Sequence, residues 1–342
     1  MVVKEKTTKI HRKIFKPSTQ RTNKLKQKYM EHKPSICADR SELVTQSYTE
    51  TEALPPVLRQ ATAFDRILSG MPIWIQDEEL IVGNIASRSR GAFLFPEYDD
   101  TWLTPELDTI STRKADPWLL SDEDKSRLLS SMDYWPGRNL GAIADALTTD
   151  DVRKAESNSF IDIRMGKQGG IGHIVPDIER VITQGLNVLI ADVENHINRL
   201  DLVNPDDYAK LHFLKAVIIA DKAVIKWAAR FASLARDKAA VEPDPQRKAE
   251  LEQIADICNW VPANPARSFR EALQNISFIM DSVQIESNGV SIGTGRLDQY
   301  CFPYYEKDLK EGIITSEEAV ELLECLWLKI AESNRIACAL LT

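Results

Sequence analysis

Residues 284–305, Q-I-E-S-N-G-V-S-I-G-T-G-R-L-D-Q-Y-C-F-P-Y-Y, constrain the fold more than any other stretch of this chain. Glycines at 289, 293 and 295 stand among Val290 and Ile292 and the polar Asn288, Ser291 and Thr294. Glycine removes the side chain that would hold a neighbour away, so the pattern suits extended backbone under close approach. The flanking charges Glu286, Arg296 and Asp298 need partners if the segment is buried. The stretch therefore predicts the floor of a site or a buried strand. No G-K-[ST] follows, so it is not a phosphate loop, and G-x-x-x-G-x-G is not the dinucleotide spacing.

Most of the chain leading there reads as helix. Helical signals run from Arg40 to Gly70, where Leu54-Pro55-Pro56 opens a helix continued by Leu58, Ala61, Phe64, Ile67 and Leu68. Leu80-Ile81-Val82, ended by Gly83-Asn84, predicts a short buried strand and turn. Residues 86–135 are irregular and aromatic, with a capped helix from Ser121 to Met132, and Arg88 and Arg90 are surface arginines or an anion site.

A second glycine-rich point, G-G-I-G-H-I-V-P-D at 169–177, precedes an apolar stripe from Ile178 to Leu200 that is interrupted at Gly185. Asn204-Pro205 caps a further helix, residues 236–247 read as a loop, and a short helix follows to Trp260. Ser268-Phe-Arg-Glu271 and Thr315-Ser-Glu-Glu318 are capping boxes, the first heading the helix that delivers the chain into residues 284–305.

A length of 342 residues with 43% hydrophobic and 27% charged residues allows a substantial core, and a net charge of −8 gives no support for a nucleic-acid partner. Residues 1–18 form a basic arm, read with the lysines and arginines out to Lys28 as a solvated, frayed extension. The remainder, 19–342, reads as one domain. No signal-peptide core follows the arm and no apolar run reaches the length of a membrane span, which predicts a cytoplasmic protein. Five scattered cysteines, at 37, 258, 301, 325 and 338, support neither a disulfide framework nor a zinc site.

Two side chains are placed to meet a ligand. His173 lies in a glycine-flanked turn before a helix, where imidazole can donate or accept a hydrogen bond, although a lone histidine in a turn also serves structure. Ser291 has no histidine nearby in sequence and so no support as a nucleophile.

The run E-S-N-G-V-S-I-G-T-G-R-L-D-Q-Y-C-F-P-Y-Y-E at 286–306 resembles the signature of glycyl radical enzymes of the pyruvate formate-lyase family. The match is closer to the dehydratase and lyase branch, which acts on glycerol, propanediol, choline or hydroxyproline. D-E-E-L-I-V-G-N at 77–84, F-P-E at 95–97 ahead of Trp102, G-G-I-G-H-I-V-P-D at 169–177 and V-P-A-N-P at 261–265 fall in the family's order, so the resemblance covers Thr19 to Ile330.

The resemblance implies an α/β fold, predominantly helical here: the N-terminal part of a ten-stranded barrel, with helical layers to about 283 and barrel strands from about 284. It implies radical C–O or C–N cleavage of a small hydroxylated substrate, with His173 and Ser291 as substrate-binding residues. An activating enzyme that uses S-adenosylmethionine and an iron-sulfur cluster would install the glycyl radical. A thiyl cysteine in a G-C-x-E-P loop would then abstract hydrogen from the substrate.

Val290 departs from the family's N-G-H-S pattern, and neither the G-C-x-E-P loop nor the C-terminal radical-glycine motif occurs in this sequence. No catalytic or metal-ligating residue is therefore assigned. The expectation is an N-terminal portion, from a split gene, a frameshift or an incomplete gene model, that is inactive alone and pairs with a C-terminal half or forms a homodimer. The alternatives are formate C-acetyltransferase-type activity and a non-catalytic binding or assembly protein.

Overall fold

The computed structural model describes residues 18–161, 170–287, 289, 291–334 and 336. Its first half comprises α1 (Gln20–Glu31), β1 (Ser35–Ile36), α2 (Asp39–Glu50), α3 (Pro56–Gly70), β2 (Gly91–Ala92), α4 (Leu103–Glu106), α5 (Asp122–Met132), α6 (Leu140–Leu147) and α7 (Asp150–Ser157). Its second half comprises α8 (Ile178–Gln184), α9 (Leu186–Ile197), α10 (Pro205–Val241), α11 (Pro245–Trp260), α12 (Phe269–Ser287), α13 (Leu297–Tyr300), α14 (Phe302–Lys310) and α15 (Ser316–Glu332).

The organising element is α10, which runs for 37 residues because nothing between Pro205 and Val241 breaks it. Asn204 caps it by accepting from the Asp206 amide, and Pro205 occupies the first turn, where a missing N–H costs nothing. Ala223, Val224, Trp227, Ala228, Phe231 and Ala235 form its buried stripe, packed against α3 and α11. Trp227, Phe231 and Phe278 of α12 meet with ring centroids 5.3–5.7 Å apart, joining α10 to the helix that leads to the glycine-rich stretch. A second core lies between α12 and α15 around Leu273, Ile276, Leu322 and Leu326, and a third lies under the aromatic region around Leu94, Leu103 and Trp118.

Several elements differ from their sequence-based expectation for identifiable reasons. Leu80–Val82 is buried but is not a strand, because its backbone is satisfied by side chains of α12 instead of a neighbouring chain. The Val82 amide donates to Gln274 Oε1 at 2.9 Å, the Val82 carbonyl accepts from Gln274 Nε2 at 2.7 Å, and Arg270 donates to the Leu80 carbonyl at 2.8 Å. The expected loop at 236–247 shrinks to 242–244, since α10 continues through the alanines that pack on α11. The helical reading of residues 40–70 resolves into α2 and α3.

The basic stretch around 20–28 is not a frayed tail. It forms α1, where Leu25 is buried and Arg21 pairs with Glu250, and the residues before Ser18 lie outside the described part. Arg88 and Arg90 hold structure: Arg88 pairs with Asp124 and donates to the Ile36 carbonyl, and Arg90 donates to the His32 carbonyl.

The expected change from helix to barrel strand near 284 comes later, because α12 stays helical through Ser287. Residues 291–296 follow without regular secondary structure, and the only sheet among the described residues is the parallel pair β1–β2. No described helix is long and apolar enough to cross a membrane.

Candidate functional site

The two glycine-rich stretches, more than a hundred residues apart in sequence, lie side by side. The Gly293 amide donates to the Ile174 carbonyl at 2.9 Å, and Ser287 Oγ donates to the Ile171 carbonyl at 3.4 Å. The glycines permit this contact. A Cβ on Gly170 would fall on the Ser287 carbonyl, and one on Gly289 would fall on the Ile171 carbonyl. Both obstacles are backbone, which cannot step aside as a flexible side chain can.

His173 and Ser291 sit on these paired segments, both exposed to solvent. Each has left-handed backbone, with φ of 54° at His173 and 59° at Ser291. A non-glycine residue there carries strain of order 1–3 kcal/mol and persists only where its surroundings hold it. Ile171 and Val175, two residues to either side of His173 in sequence, are 75% and 63% exposed, so exposed apolar residues flank His173. Val290, the expected departure from the family pattern, lies outside the described residues.

A cavity of about 340 Å³ is lined by Arg40, Tyr48, Arg59, Phe64, Tyr98 and Glu286 among others, and it includes no residue of the paired segments themselves. Burial raises the Glu286 carboxyl above the usual carboxylate range, opposed by Arg40 and by the Gln60 amide that donates to it. Burial also holds the Tyr98 phenol well above its usual range, which keeps that hydroxyl protonated. The Tyr98 hydroxyl lies against Gly170, 2.7 Å from where a Cβ would stand.

Four cysteines are described, and all are buried free thiols. Burial pushes Cys37 up to about 11, and Cys301 and Cys325 up to about 12. Such thiols stay protonated and unreactive as nucleophiles.

Sequence reasoning singled out His173 and Ser291, which the structure places on the apposed segments, and named Glu286 as a charge needing a partner, but it did not single out Arg40 or Tyr98. The F-P-E run at 95–97 was the available signal, since its glutamate and phenylalanine are what hold Arg40.

The chain is similar in sequence and fold to known proteins. The chain matches the family described as pyruvate formate lyase-like over residues 16–339 and belongs to that family. It is 36% identical to the isethionate sulfite-lyase of Oleidesulfovibrio alaskensis, over 93% of this chain and 40% of that protein. It is 31% identical to the (2S)-3-sulfopropanediol dehydratase of Klebsiella oxytoca, over 96% of this chain and 40% of that protein.

Among solved structures, the glycerol-bound B12-independent glycerol dehydratase of Clostridium butyricum superposes with a TM-score of 0.93 at 36% identity, covering 96% of this chain and 41% of that one. A structure from Roseburia inulinivorans concerned with 1,2-propanediol dehydration gives 0.92 at 39% identity, covering 95% and 39%. The fold is therefore the helical N-terminal portion of the family's barrel enzymes, and the chain spans about 40% of the length of the curated relatives it matches.

Proposed function

We propose that this chain supplies the substrate-binding side of a glycyl radical lyase or dehydratase that acts on a small hydroxylated compound. His173 and Ser291 are the side chains that hold the substrate hydroxyls. The observation that carries this reading is that both have left-handed backbone on two segments which only glycine allows to approach. Strained, exposed polar residues on apposed backbone are a costly way to build a surface and a common way to build a ligand contact.

Relatives that share the fold include a glycerol-bound dehydratase and a sulfopropanediol dehydratase, whose ligands are small hydroxylated molecules. The sequence contains no G-C-x-E-P loop, and no hydrogen-abstraction step is assigned to the buried thiols described here. A glycyl radical installed by an S-adenosylmethionine-dependent activating enzyme would supply that step, and the residues of this chain would hold and orient the substrate.

Saturation-transfer NMR with glycerol and propane-1,2-diol tests the binding role. Transfer to the polyol from the wild-type chain, lost in both His173→Ala and Ser291→Ala, is expected. Equal transfer in wild type and both variants refutes the assignment. That the residues of this chain bind substrate and carry no radical is tested under anoxia with the activating enzyme, where a glycyl radical signal from this chain alone would overturn it.

A further inference from the structure

We propose that Arg40, clamped by Phe95 and Glu97, is a positioning residue that sets the two apposed segments carrying His173 and Ser291. The value of that placement for substrate rests on the function proposed above, but the placement itself is tested independently of it.

Arg40 is 2% exposed although it carries a full charge, so its partners must compensate for lost water. They do so on every side. Nη2 pairs with Glu97 Oε1 at 2.5 Å, and Nη1 donates to Glu97 Oε2 and to the Leu94 carbonyl, both at 3.2 Å. The guanidinium carbon lies 3.5 Å from the centroid of the Phe95 ring. Nε donates to the Ile285 carbonyl at 2.9 Å.

That last bond is the informative one. Ile285 lies in the final turn of α12, whose carbonyls have no helical partner and carry the negative end of the helix dipole. A fixed cation there determines where the helix stops and from where the chain departs toward Ser291. The same turn that holds Arg40 also reaches the other segment, because Tyr98, one residue beyond Glu97, places its hydroxyl against Gly170. Tyr98 is itself held by donation of its amide to the Phe95 carbonyl at 3.0 Å and by acceptance from the Gly141 amide at 2.7 Å. Residues 95–98 thus grip the end of α12 through Arg40 and the Gly170 segment through Tyr98.

Lysine cannot replace Arg40 here. It lacks the planar fork that bonds Glu97 in two places while a third nitrogen reaches Ile285. Arg40→Lys and Glu97→Gln should therefore keep the fold and loosen the junction.

The test is amide-resolved NMR hydrogen exchange on the full chain, with Ile254→Val as a core variant of comparable stability loss. In Arg40→Lys and Glu97→Gln, exchange of the Gly293 amide and of the last turn of α12 is expected to accelerate by about tenfold or more, while amides of α11 stay within about twofold. In Ile254→Val the Gly293 amide should follow the α11 amides. Acceleration shared equally by α11 in all three variants, or an unchanged Gly293 amide in Arg40→Lys, overturns the proposal. A local response at Gly293 with no polyol binding by wild type sinks the substrate reading and leaves the positioning role intact.

Discussion

The most demanding prediction concerns Asp281, a 4% exposed carboxyl midway along α12. It faces one ammonium and two further carboxylates: Lys329 Nζ lies 2.7 Å from Glu79 and 2.8 Å from Glu332, neither of them Asp281. Its own recorded donor is Ser333 Oγ, at 3.3 Å. Burial and the charges of Glu332 and Glu79 raise the Asp281 carboxyl, Lys329 and Ser333 lower it, and the balance is about 7. For Lys329 burial works the other way, but Glu332 and Glu79 outweigh it and hold the amine well above its usual range.

A carboxyl raised by folding stabilises the native state most below its unfolded pKa, and that stability is lost as pH rises toward the folded one. Between an unfolded value of 3.8 and a folded value of about 7, the loss amounts to about 4 kcal/mol. Asp281→Asn keeps the shape and removes the ionisation. Urea unfolding followed by circular dichroism at about pH 5 and about pH 8 should show wild type losing stability relative to the variant as pH rises, by about 3 kcal/mol, the rest of the loss falling below pH 5. A wild type and variant whose stabilities run parallel across that range would show that Asp281 ionises freely and that the reasoning fails.

The other predictions are simpler. Gly170→Ala places a methyl on the Ser287 carbonyl, so the apposed segments must separate. A stability loss of about 1–3 kcal/mol and loss of polyol saturation transfer are expected, and a variant as stable as wild type would contradict the close approach. Gln274→Leu removes the acceptor of the buried Val82 amide and one of the two donors to the Val82 carbonyl, which keeps Ser277 Oγ; thermal unfolding should report a loss of about 1–3 kcal/mol. Thr315→Ala removes one half of the reciprocal cap on α15, and denaturant melts should show a loss of about 1 kcal/mol. A thiol reagent should label Cys37, Cys258, Cys301 and Cys325 in native protein far more slowly than in urea, because all four are buried.

Local signals in the sequence were sufficient wherever an element is decided by its own residues. Asn204-Pro205, Ser121 and Thr315 start helices as their caps require, and Gly185 separates α8 from α9 with φ of 77°. The family resemblance read from short strings in order along the chain agrees with the family match over residues 16–339. The sequence could not show that Leu80–Val82 is held by Gln274, because an apolar triplet looks the same whether its backbone partner is a strand or a side chain.

The pairing of the glycine-rich stretches was equally hidden. Each reads alone as backbone awaiting close approach, and only the packing of α12 against α8 makes each the other's neighbour. The F-P-E run was visible as a motif, but its physical role needed Arg40 to arrive from another helix. The sequence by itself determined most of the helices and their caps, and it singled out His173 and Ser291 for test. Which groups share one buried space, and so which charges compensate one another, was decided by the tertiary structure, because those interactions join residues far apart along the chain.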